Sequence, residues 1–531
     1  MPYFINRISR PASRLSVLII IVFFAITNFS HQLWKIDKGP IRGVIKWDVI
    51  SYYAFLPATF IYHDIGLDFL NDEDFNNDNK FWYQLSSDGN KLIITTMGMS
   101  YLYAPFFFTA HLVAPAFGED RSGFNSCYQF FLLFSALFYV WLGFLFMRKI
   151  LNRFFPDIVA AITIILIGLG TNLYNYATYE APMSHAYNFC LITGFIFLII
   201  RWYDDQKIGY AILIGLLYGL ITLIRPTNVM VIILLLLWGV SSPGDFRKRF
   251  LFLVNKAPQI FLMFIAFILP WLPQFFYWKY VTGNIFYNSY EQVGSAFYFD
   301  SPHILDMLLS YRKGWFIYTP VMLVACTGII FLYRDLRESF LSISLYFLAM
   351  VYLLSSWWSW WYGGSFGLRA MIDLYGVMAI PLAVVIDRTL KLKLILRYSL
   401  LAIPGFLIFL NIYQTWQYQE GYIHYYGMNK ETYWLTFLKG TDIPGYWTKL
   451  SIPDFDLARK GIYVFYPSGE NHDNLKSMSE EKALGSIRND VLNNRRLMRD
   501  IRRYSRRNNQ TKEHTIKMVT EQIYSQKMID Q

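Results

Sequence analysis

Apolar runs recur along this sequence, and most are close to the length that an α-helix needs to cross a lipid bilayer. Such a helix needs about 20 residues. A soluble protein does not repeat runs of this kind, and only 16% of the 531 residues are charged. We therefore predict an all-α polytopic membrane protein. The candidate runs lie near residues 15–33, 99–117, 124–147, 157–177, 185–203, 208–224, 227–240, 258–281, 315–333, 339–357, 370–387 and 398–416.

Basic residues indicate which of these runs cross the membrane, because cytoplasmic loops carry an excess of Lys and Arg. If the run 99–117 lies along the interface, most basic residues of the short loops fall on the cytoplasmic side. If this run crosses the membrane, most of those residues fall on the outer side instead. The pattern therefore favours about 11 membrane spans, with the N-terminus inside and the C-terminus outside. The first run, 15–33, is followed by no small-residue cleavage site and is predicted to remain as a span.

This topology divides the chain into a transmembrane domain, 1–416, and an extracytoplasmic C-terminal region, 417–531. The first outer loop would cover 34–123 and carry two juxtamembrane helices, near 49–62 and 99–117. The three cysteines all fall inside apolar runs. We therefore predict packed thiols rather than a disulfide framework.

The end of the chain, about 477–529, is predicted to form one amphipathic helix. Ser477 or Ser479 precedes Glu480 as a helix start, and apolar residues follow at a spacing of three to four. The segment RRLMRDIRRYSRR within it is strongly basic. A solvated helix that touches anionic membrane lipids is the favoured interpretation. No nucleic-acid partner is predicted, because the region would lie outside the cytoplasm.

Two acidic residues stand out in the predicted outer loops. Asp48 lies beside Trp47 and the pair Tyr52 and Tyr53, on a segment too short to cross the bilayer. A carboxylate near the bilayer is costly unless it is solvated, paired or used. Asp48 could instead cap the helix that follows it. Glu180, in the second outer loop, could be an ordinary loop acid.

Three further polar residues fall at the same predicted membrane face. His185 could bind a ligand or serve as a packing histidine. Arg225 precedes a proline, has no acid nearby in the sequence, and could bind a phosphate or form an intramembrane salt bridge. Arg369 ends the glycine-rich segment WWYGGSFGLR, which would allow a ligand to approach closely. The same segment could equally form a tight turn with a snorkelling arginine.

Metal and cofactor sites receive little support from the sequence. One acidic run could collect a divalent cation, but a solvated loop is the favoured interpretation. No Cys/His ligand pattern and no nucleotide-binding glycine loop is present. We predict no metal site and no cofactor. The acidic run consists of Asp72, Glu73, Asp74 and Asp78.

Acids, arginines, a histidine and many Trp and Tyr residues thus share one predicted membrane face. An enzyme that takes a phosphate-linked lipid donor from the leaflet needs this combination. The acid accepts the proton of an attacking hydroxyl or amine. The arginines neutralise the charge that develops on the departing phosphate, and the aromatic side chains hold the sugar.

The motifs resemble those of the GT-C superfamily of membrane glycosyltransferases, which includes the protein O-mannosyltransferases and the lipid A aminoarabinose transferase. Asp48-Val49-Ile50-Ser51-Tyr52 resembles the acidic D-E/D-x-x-Y motif that opens the first outer loop, with valine at the second position. MSYLYAPFFFTAHLVAPAFG resembles the second juxtamembrane helix. WYGGSFGLR is similar to the W-x-G-G-x-x-x-G-x-R segment of bacterial members. Glu180 falls on the second acidic position, and Arg225 on a phosphate-binding basic position.

The resemblance implies an inverting, metal-independent transfer from a polyprenyl-phosphate sugar to a glycan, lipid or protein acceptor. It places the site on the extracytoplasmic face of a bacterial-type inner membrane. Asp48 would be the general base, assisted by Glu180. Arg225 and Arg369 would hold the phosphate. The pocket would be lined by Tyr52, Tyr53 and His185.

Two other classes of protein remain open at this stage. A lipid or solute transporter would place charges along a path through both leaflets, whereas few ionisable residues fall in the cytoplasmic halves of the predicted spans. A non-catalytic sugar-lipid-binding protein of the same fold would keep the pocket without turnover. The sequence identifies neither the donor sugar nor the acceptor.

Overall fold

The computed structural model describes residues 11–36, 43–73, 75–78, 80–290, 294–469 and 478–529. Asp74 of the acidic run and Ser477 lie outside these ranges. The helices up to residue 282 are, in order, α1 (Pro11–His31), α2 (Asp48–Phe60), α3 (Gly98–Val113), α4 (Ser126–Phe154), α5 (Asp157–Leu169), α6 (Leu173–Ala177), α7 (Ser184–Asp205), α8 (Ile208–Ile224), α9 (Ile232–Leu237), α10 (Pro243–Asn255), α11 (Ala257–Ile268) and α12 (Leu272–Thr282).

The remainder of the chain is also mainly helical. Its elements are α13 (Ile304–Leu309), α14 (Trp315–Tyr318), α15 (Val321–Asp335), α16 (Arg337–Ser355), α17 (Tyr375–Leu390), α18 (Leu394–Gln419), α19 (Lys430–Thr436), α20 (Phe455–Arg459) and three C-terminal helices, Glu480–Asn493, Arg495–Arg507 and Lys512–Ile529. Two short antiparallel pairs join β1 (Gln84–Leu85) to β2 (Lys91–Leu92) and β3 (Ser451–Pro453) to β4 (Phe465–Pro467). Turns of 3-10 helix include Asp68–Asn71, Ala114–Phe117, Pro226–Val231, Leu269–Trp271, Arg369–Leu374 and Trp447–Lys449.

The predicted class, an all-α polytopic membrane protein, is confirmed. Within the described residues, seven helices are long and apolar enough to cross a membrane. Other apolar helices, such as α5 and α8, are shorter. The number of spans near 11 and their orientation stay predictions. The seven long helices are Pro11–His31, Ser126–Phe154, Ser184–Asp205, Ala257–Thr282, Arg337–Ser355, Arg369–Leu390 and Leu394–Gln419.

Small residues allow the membrane helices to approach closely. A Cβ added at Gly219 of α8 would lie 2.3 Å from the Phe267 carbonyl oxygen of α11. A Cβ at Gly328 of α15 would lie 2.0 Å from the Pro381 oxygen of α17. Apolar side chains gain little by leaving lipid for protein, so close packing at small residues is a main source of helix association in membranes.

Both short helices predicted in the first outer loop are present. The helix expected near 49–62 is α2, and the run 99–117 forms α3 followed by a 3-10 turn. Their aromatic side chains pack together, with the rings of Tyr53 and Phe107 5.9 Å apart. Their position along the membrane surface stays a prediction.

The chain separates into two compact units. The membrane unit comprises Met1–Ser289, Tyr318–Val351 and Arg369–Thr415. The C-terminal unit comprises the rest and therefore includes two segments that precede residue 417 in the sequence. Its own apolar core includes Leu457, Ile462, Ile487, Val491, Ile501, Ile516 and Val519.

The prediction of a single C-terminal helix is wrong, because this part of the chain forms three helices. The first starts at Glu480, with Ser479 in the N-cap position. The first break is at Asn494, whose side chain accepts hydrogen bonds from the backbone N–H groups of Arg496 and Leu497 and so caps a new helix. The second break includes Asn509, which has a positive φ of 50°. Apolar spacing alone does not reveal such breaks.

Candidate active site

Asp48 and Arg369 form an ion pair in the membrane unit. The Arg369 guanidinium lies 3.1 Å from a carboxylate oxygen of Asp48. The Asp48 side chain is 42% exposed and that of Arg369 16%. The Asp48 carboxylate can therefore contact a ligand while it remains beside the positive charge of Arg369.

The backbone before Asp48 holds an unusual conformation. Trp47 has φ 55° and ψ −136°, a combination that strongly favours glycine. This residue occupies the N-cap position of α2, and Asp48 is the first helical residue. The alternative that Asp48 itself caps the helix is therefore wrong. Its carboxylate instead lies in the first turn, where the partial positive charge of the helix stabilises an anion.

Arg225 lies where α8 ends and a 3-10 helix begins. Pro226 cannot donate a backbone hydrogen bond and disfavours helix at the preceding residue, which is extended with φ −145°. The Arg225 guanidinium donates to His185 Nδ1 at 2.8 Å. That nitrogen is therefore an acceptor, which makes the imidazole neutral with its proton on Nε2.

Asp373 is the acid that partners Arg225, at 3.5 Å between guanidinium and carboxylate. The Asp373 side chain is 1% exposed and accepts hydrogen bonds from the amides of Asn188 at 3.2 Å and Asn228 at 2.8 Å. His185 Nδ1 lies 3.5 Å from its other oxygen. The salt bridge considered for Arg225 is therefore present, and a phosphate contact stays a prediction.

Asp373 was not predicted from the sequence. Its partner Arg225 lies far away along the chain, so proximity in sequence could not reveal the pair. A usable signal was nonetheless present, because Asp373 is an acid inside the apolar run 370–387. Ionisable residues within membrane segments are rare and mark paired or functional positions.

Tyr52 lies near both ion pairs of the site. The charges of Asp48, Arg225 and Arg369 all act on its hydroxyl. Burial raises the pKa of Tyr52, and the negative charge of Asp48 raises it further. The hydroxyl therefore stays protonated at neutral pH and can donate a hydrogen bond.

Glu180 belongs to the same electrostatic environment. Its carboxylate acts on the Arg369 guanidinium, as does that of Asp48, and Tyr52 and Tyr176 lie near the same guanidinium. The Tyr176 ring also packs edge-on against His185, with 5.5 Å between ring centres. The sequence analysis did not assign Tyr176 a role in the site.

Tyr53 is directed elsewhere. Its hydroxyl donates to the Gly123 carbonyl at 2.5 Å, and its ring packs among Tyr103, Phe107 and Phe124. With a residue exposure of 1%, Tyr53 stabilises the packing of α2. The structure does not bring Tyr53 to the ion pairs, and a role in the pocket stays a prediction.

The arrangement combines an accessible carboxylate, two guanidinium groups and several hydroxyls and rings. It can accept a proton at Asp48 and bind an anion at the arginines. Within the described part of the chain, no group of three or more His, Cys, Asp or Glu residues is placed to hold a metal ion.

Comparisons with known proteins give only a distant structural likeness. No protein-family profile and no curated protein matches the chain. One similar structure is the archaeal oligosaccharyltransferase AglB from Archaeoglobus fulgidus, in complex with an inhibitory peptide and a dolichol-phosphate. It is 12% identical, with a TM-score of 0.44, over 80% of this chain and 57% of that one. Another is the apo form of the Archaeoglobus fulgidus oligosaccharyltransferase, 14% identical, with a TM-score of 0.48, over 84% of this chain and 59% of that one.

This chain therefore spans less than three fifths of the length of either structure. AglB is a GT-C membrane glycosyltransferase, the superfamily that the sequence motifs resemble. At this level of likeness, the activity of AglB carries no argument about this chain, so the function is argued from the site.

Proposed function

We propose that this protein is an inverting glycosyltransferase that takes a sugar from a polyprenyl-phosphate donor. The observation that carries the proposal is the contact of 3.1 Å between the half-exposed Asp48 carboxylate and Arg369. It puts a proton acceptor beside a cation that can hold a phosphate. The acceptor would be a glycan, lipid or protein group on the extracytoplasmic side of a bacterial-type inner membrane.

Asp48 acts as the general base in this proposal. An acceptor hydroxyl or amine attacks the anomeric carbon of the sugar and loses its proton to the Asp48 carboxylate. The new bond to the anomeric carbon forms as the bond from that carbon to the phosphate oxygen breaks. A single displacement of this kind inverts the anomeric configuration and releases the polyprenyl phosphate.

Arg369 and Arg225 bind the departing phosphate. The bond to the phosphate oxygen breaks with a gain of negative charge, which fixed cations stabilise in a site of low polarity. Arg369 exchanges part of its contact with Asp48 for the phosphate, which leaves the carboxylate ready to accept a proton. Arg225 keeps its position because Asp373 and His185 hold it.

The remaining residues orient the substrates. Glu180 acts on Arg369 and orients the acceptor. The Tyr52 hydroxyl donates a hydrogen bond to the sugar or the phosphate. His185 and Tyr176 form one wall, and rings of this kind can stack against a sugar.

Transfer from a radiolabelled polyprenyl-phosphate sugar by membranes that contain the protein tests the proposal. Asp48→Asn should lower the rate about a thousandfold, the scale of general-base catalysis, with a normal amount of folded protein. Asp88→Asn is the matched control, since Asp88 is an exposed acid of the same predicted outer loop. Full activity of Asp48→Asn would refute the assignment of the base.

The same preparation separates the two alternatives. Movement of the labelled lipid between leaflets without transfer would identify a transporter. Retention of the lipid with neither movement nor transfer would identify a non-catalytic binding protein.

A further inference from the structure

The helix Arg495–Arg507 of the C-terminal unit carries seven arginines, and they form two rows. At about 100° per residue, the inner row falls within about 40° of arc and the outer row within about 60°. The third side of the helix is apolar and buried in the core of the unit. The inner row is Arg496, Arg503 and Arg507, and the outer row is Arg495, Arg499, Arg502 and Arg506.

The inner row is bound to acids and hydroxyls of the same unit. Arg507 pairs with Asp300 at 2.8 Å, and Arg496 pairs with Asp306. Arg503 donates to Ser301 at 2.5 Å. These contacts attach the helix to the segment 300–306.

The outer row is exposed along its whole length. In the part of the chain that the structure describes, none of its four guanidinium groups has an ion pair or a side-chain hydrogen bond. The row spans about 16 Å, with about one charge per helical turn. Like charges three and four residues apart repel each other and destabilise a helix. A line of anionic groups would remove that repulsion.

We propose that the outer row binds a linear polyanion, and specifically an acidic saccharide chain. The guanidinium group binds carboxylates and other planar oxyanions through two parallel hydrogen bonds, which a lysine cannot do. Four such groups in a straight row match the regularly spaced charges of an extended chain. The outer row shares no residue with the site at Asp48, and binding to it requires no transfer.

A membrane surface fits these observations less well. A helix that binds at the lipid interface inserts an apolar face among the acyl chains. In the helix Arg495–Arg507 that face is already buried, with Leu497 at 5% and Ile501 at 0% exposure. The outer row contains no apolar side chain that could insert.

A cavity of ≈ 370 Å³ in the same unit supports a saccharide as the ligand. Arg496, from the inner row, lines it together with its partner Asp306 and two further basic residues, Arg312 and Lys430. Tyr311 and Trp360 also line it, and aromatic rings are surfaces on which sugars stack. The volume is within the range of about 300–1,000 Å³ that is usual for small-ligand pockets.

Binding of the full-length protein, in discs of neutral lipid, to immobilised polygalacturonate tests the proposal. The wild-type protein should bind, and binding should weaken as salt rises. Replacement of all four outer-row arginines by glutamine should lower the affinity at least about tenfold without a change in the unfolding temperature, because their side chains are exposed. Replacement by lysine should restore only part of it.

A matched control neutralises the same number of charges elsewhere on the unit. Its affinity for polygalacturonate should stay within about twofold of wild type. An equal loss in the control would show that net charge, not the row, determines binding, and would overturn the proposal. It would also be overturned if polygalacturonate did not bind, or if vesicles that contain phosphatidylglycerol bound more tightly. The control carries Lys439→Gln, Lys482→Gln, Lys512→Gln and Lys517→Gln.

Discussion

The two arginine–aspartate pairs of the candidate site use the same chemical groups in different surroundings. In the pair Asp48–Arg369 the carboxylate is 42% exposed and the contact measures 3.1 Å. In the pair Asp373–Arg225 the carboxylate is 1% exposed, and two amides and an imidazole surround it. The first pair can exchange partners with a ligand, whereas the second has its partners fixed by the fold.

The difference predicts different roles for the two acids. An exposed ion pair contributes little to stability, typically about 0–1 kcal/mol. Removal of one partner from a buried pair is expensive, about 3–5 kcal/mol, because it leaves an uncompensated charge. We therefore expect Asp48 to take part in the proposed chemistry, and Asp373 to position Arg225 and His185.

Asp373→Ala should have the largest effect on stability. Arg225 would lose its buried partner, and the free energy of unfolding should fall by about 3–5 kcal/mol. Asp48→Ala, the matched substitution in the open pair, should lower it by no more than about 1 kcal/mol. Unfolding in detergent measures both, and equal losses would break the distinction between the pairs.

A double variant shows whether the loss comes from the unpaired charge. Replacing both partners, as Arg225→Met with Asp373→Leu, should recover only part of the stability that Asp373→Ala loses, because the amides of Asn188 and Asn228 stay unpaired. Transfer activity should stay low, because the proposed phosphate contact of Arg225 is also removed. Recovery of activity with stability would contradict the proposed role of Arg225.

Arg369→Gln should weaken donor binding with little change in stability. Loss of a charge-assisted contact to phosphate costs about 2 kcal/mol, which raises the KM for the donor about thirtyfold. The KM for the acceptor should change much less. Steady-state kinetics with each substrate varied in turn measures this, and an unchanged donor KM would remove Arg369 from the phosphate site.

Tyr52→Phe should have a smaller effect, because the ring is kept and one neutral hydrogen bond is lost. We expect a loss in rate of about tenfold. The raised pKa of Tyr52 keeps its hydroxyl protonated beyond the range where a free tyrosine ionises. The pH–rate profile should therefore keep its shape in the variant. Loss of an alkaline limb in Tyr52→Phe would show that Tyr52 ionises during the reaction.

Trp47→Gly should have the smallest effect, with the opposite sign on stability. Glycine adopts a positive φ without steric cost, so the free energy of unfolding should rise by about 1 kcal/mol. Lys46→Gly is the control, because Lys46 has no positive φ, and it should be neutral or destabilising. A loss of stability in Trp47→Gly as large as that in the control would show that the backbone before Asp48 is not strained.

Local patterns in the sequence predicted the elements better than the contacts between them. The α2 and α3 helices follow from apolar runs of the observed lengths. The proximity of Asp48 and Arg369 followed only from their predicted common membrane face. The partner of Arg225 was missed because nothing near it in the sequence indicates Asp373, and only the fold brings them together.

The C-terminal unit was the least predictable part. It draws together Tyr290–Ile317, Tyr352–Leu368 and Trp416–Gln531, which are distant along the chain. Apolar spacing detected its helices but not the break at Asn494, which depends on hydrogen bonds of one side chain. The two arginine rows likewise differ in their contacts only in the folded unit, where the acids of the segment 300–306 pair with the inner row.

The pair Asp48–Arg369 also has a consequence for biosynthesis. A ribosome produces Asp48 early and Arg369 only after most of the membrane helices have emerged. Until then the Asp48 carboxylate lacks the guanidinium of Arg369. When Arg369 is made, its partner Asp48 is already present in the chain. The pair Asp48–Arg369 therefore forms late in membrane insertion, and a chain that terminates before Arg369 contains the Asp48 carboxylate without the cation that neutralises it.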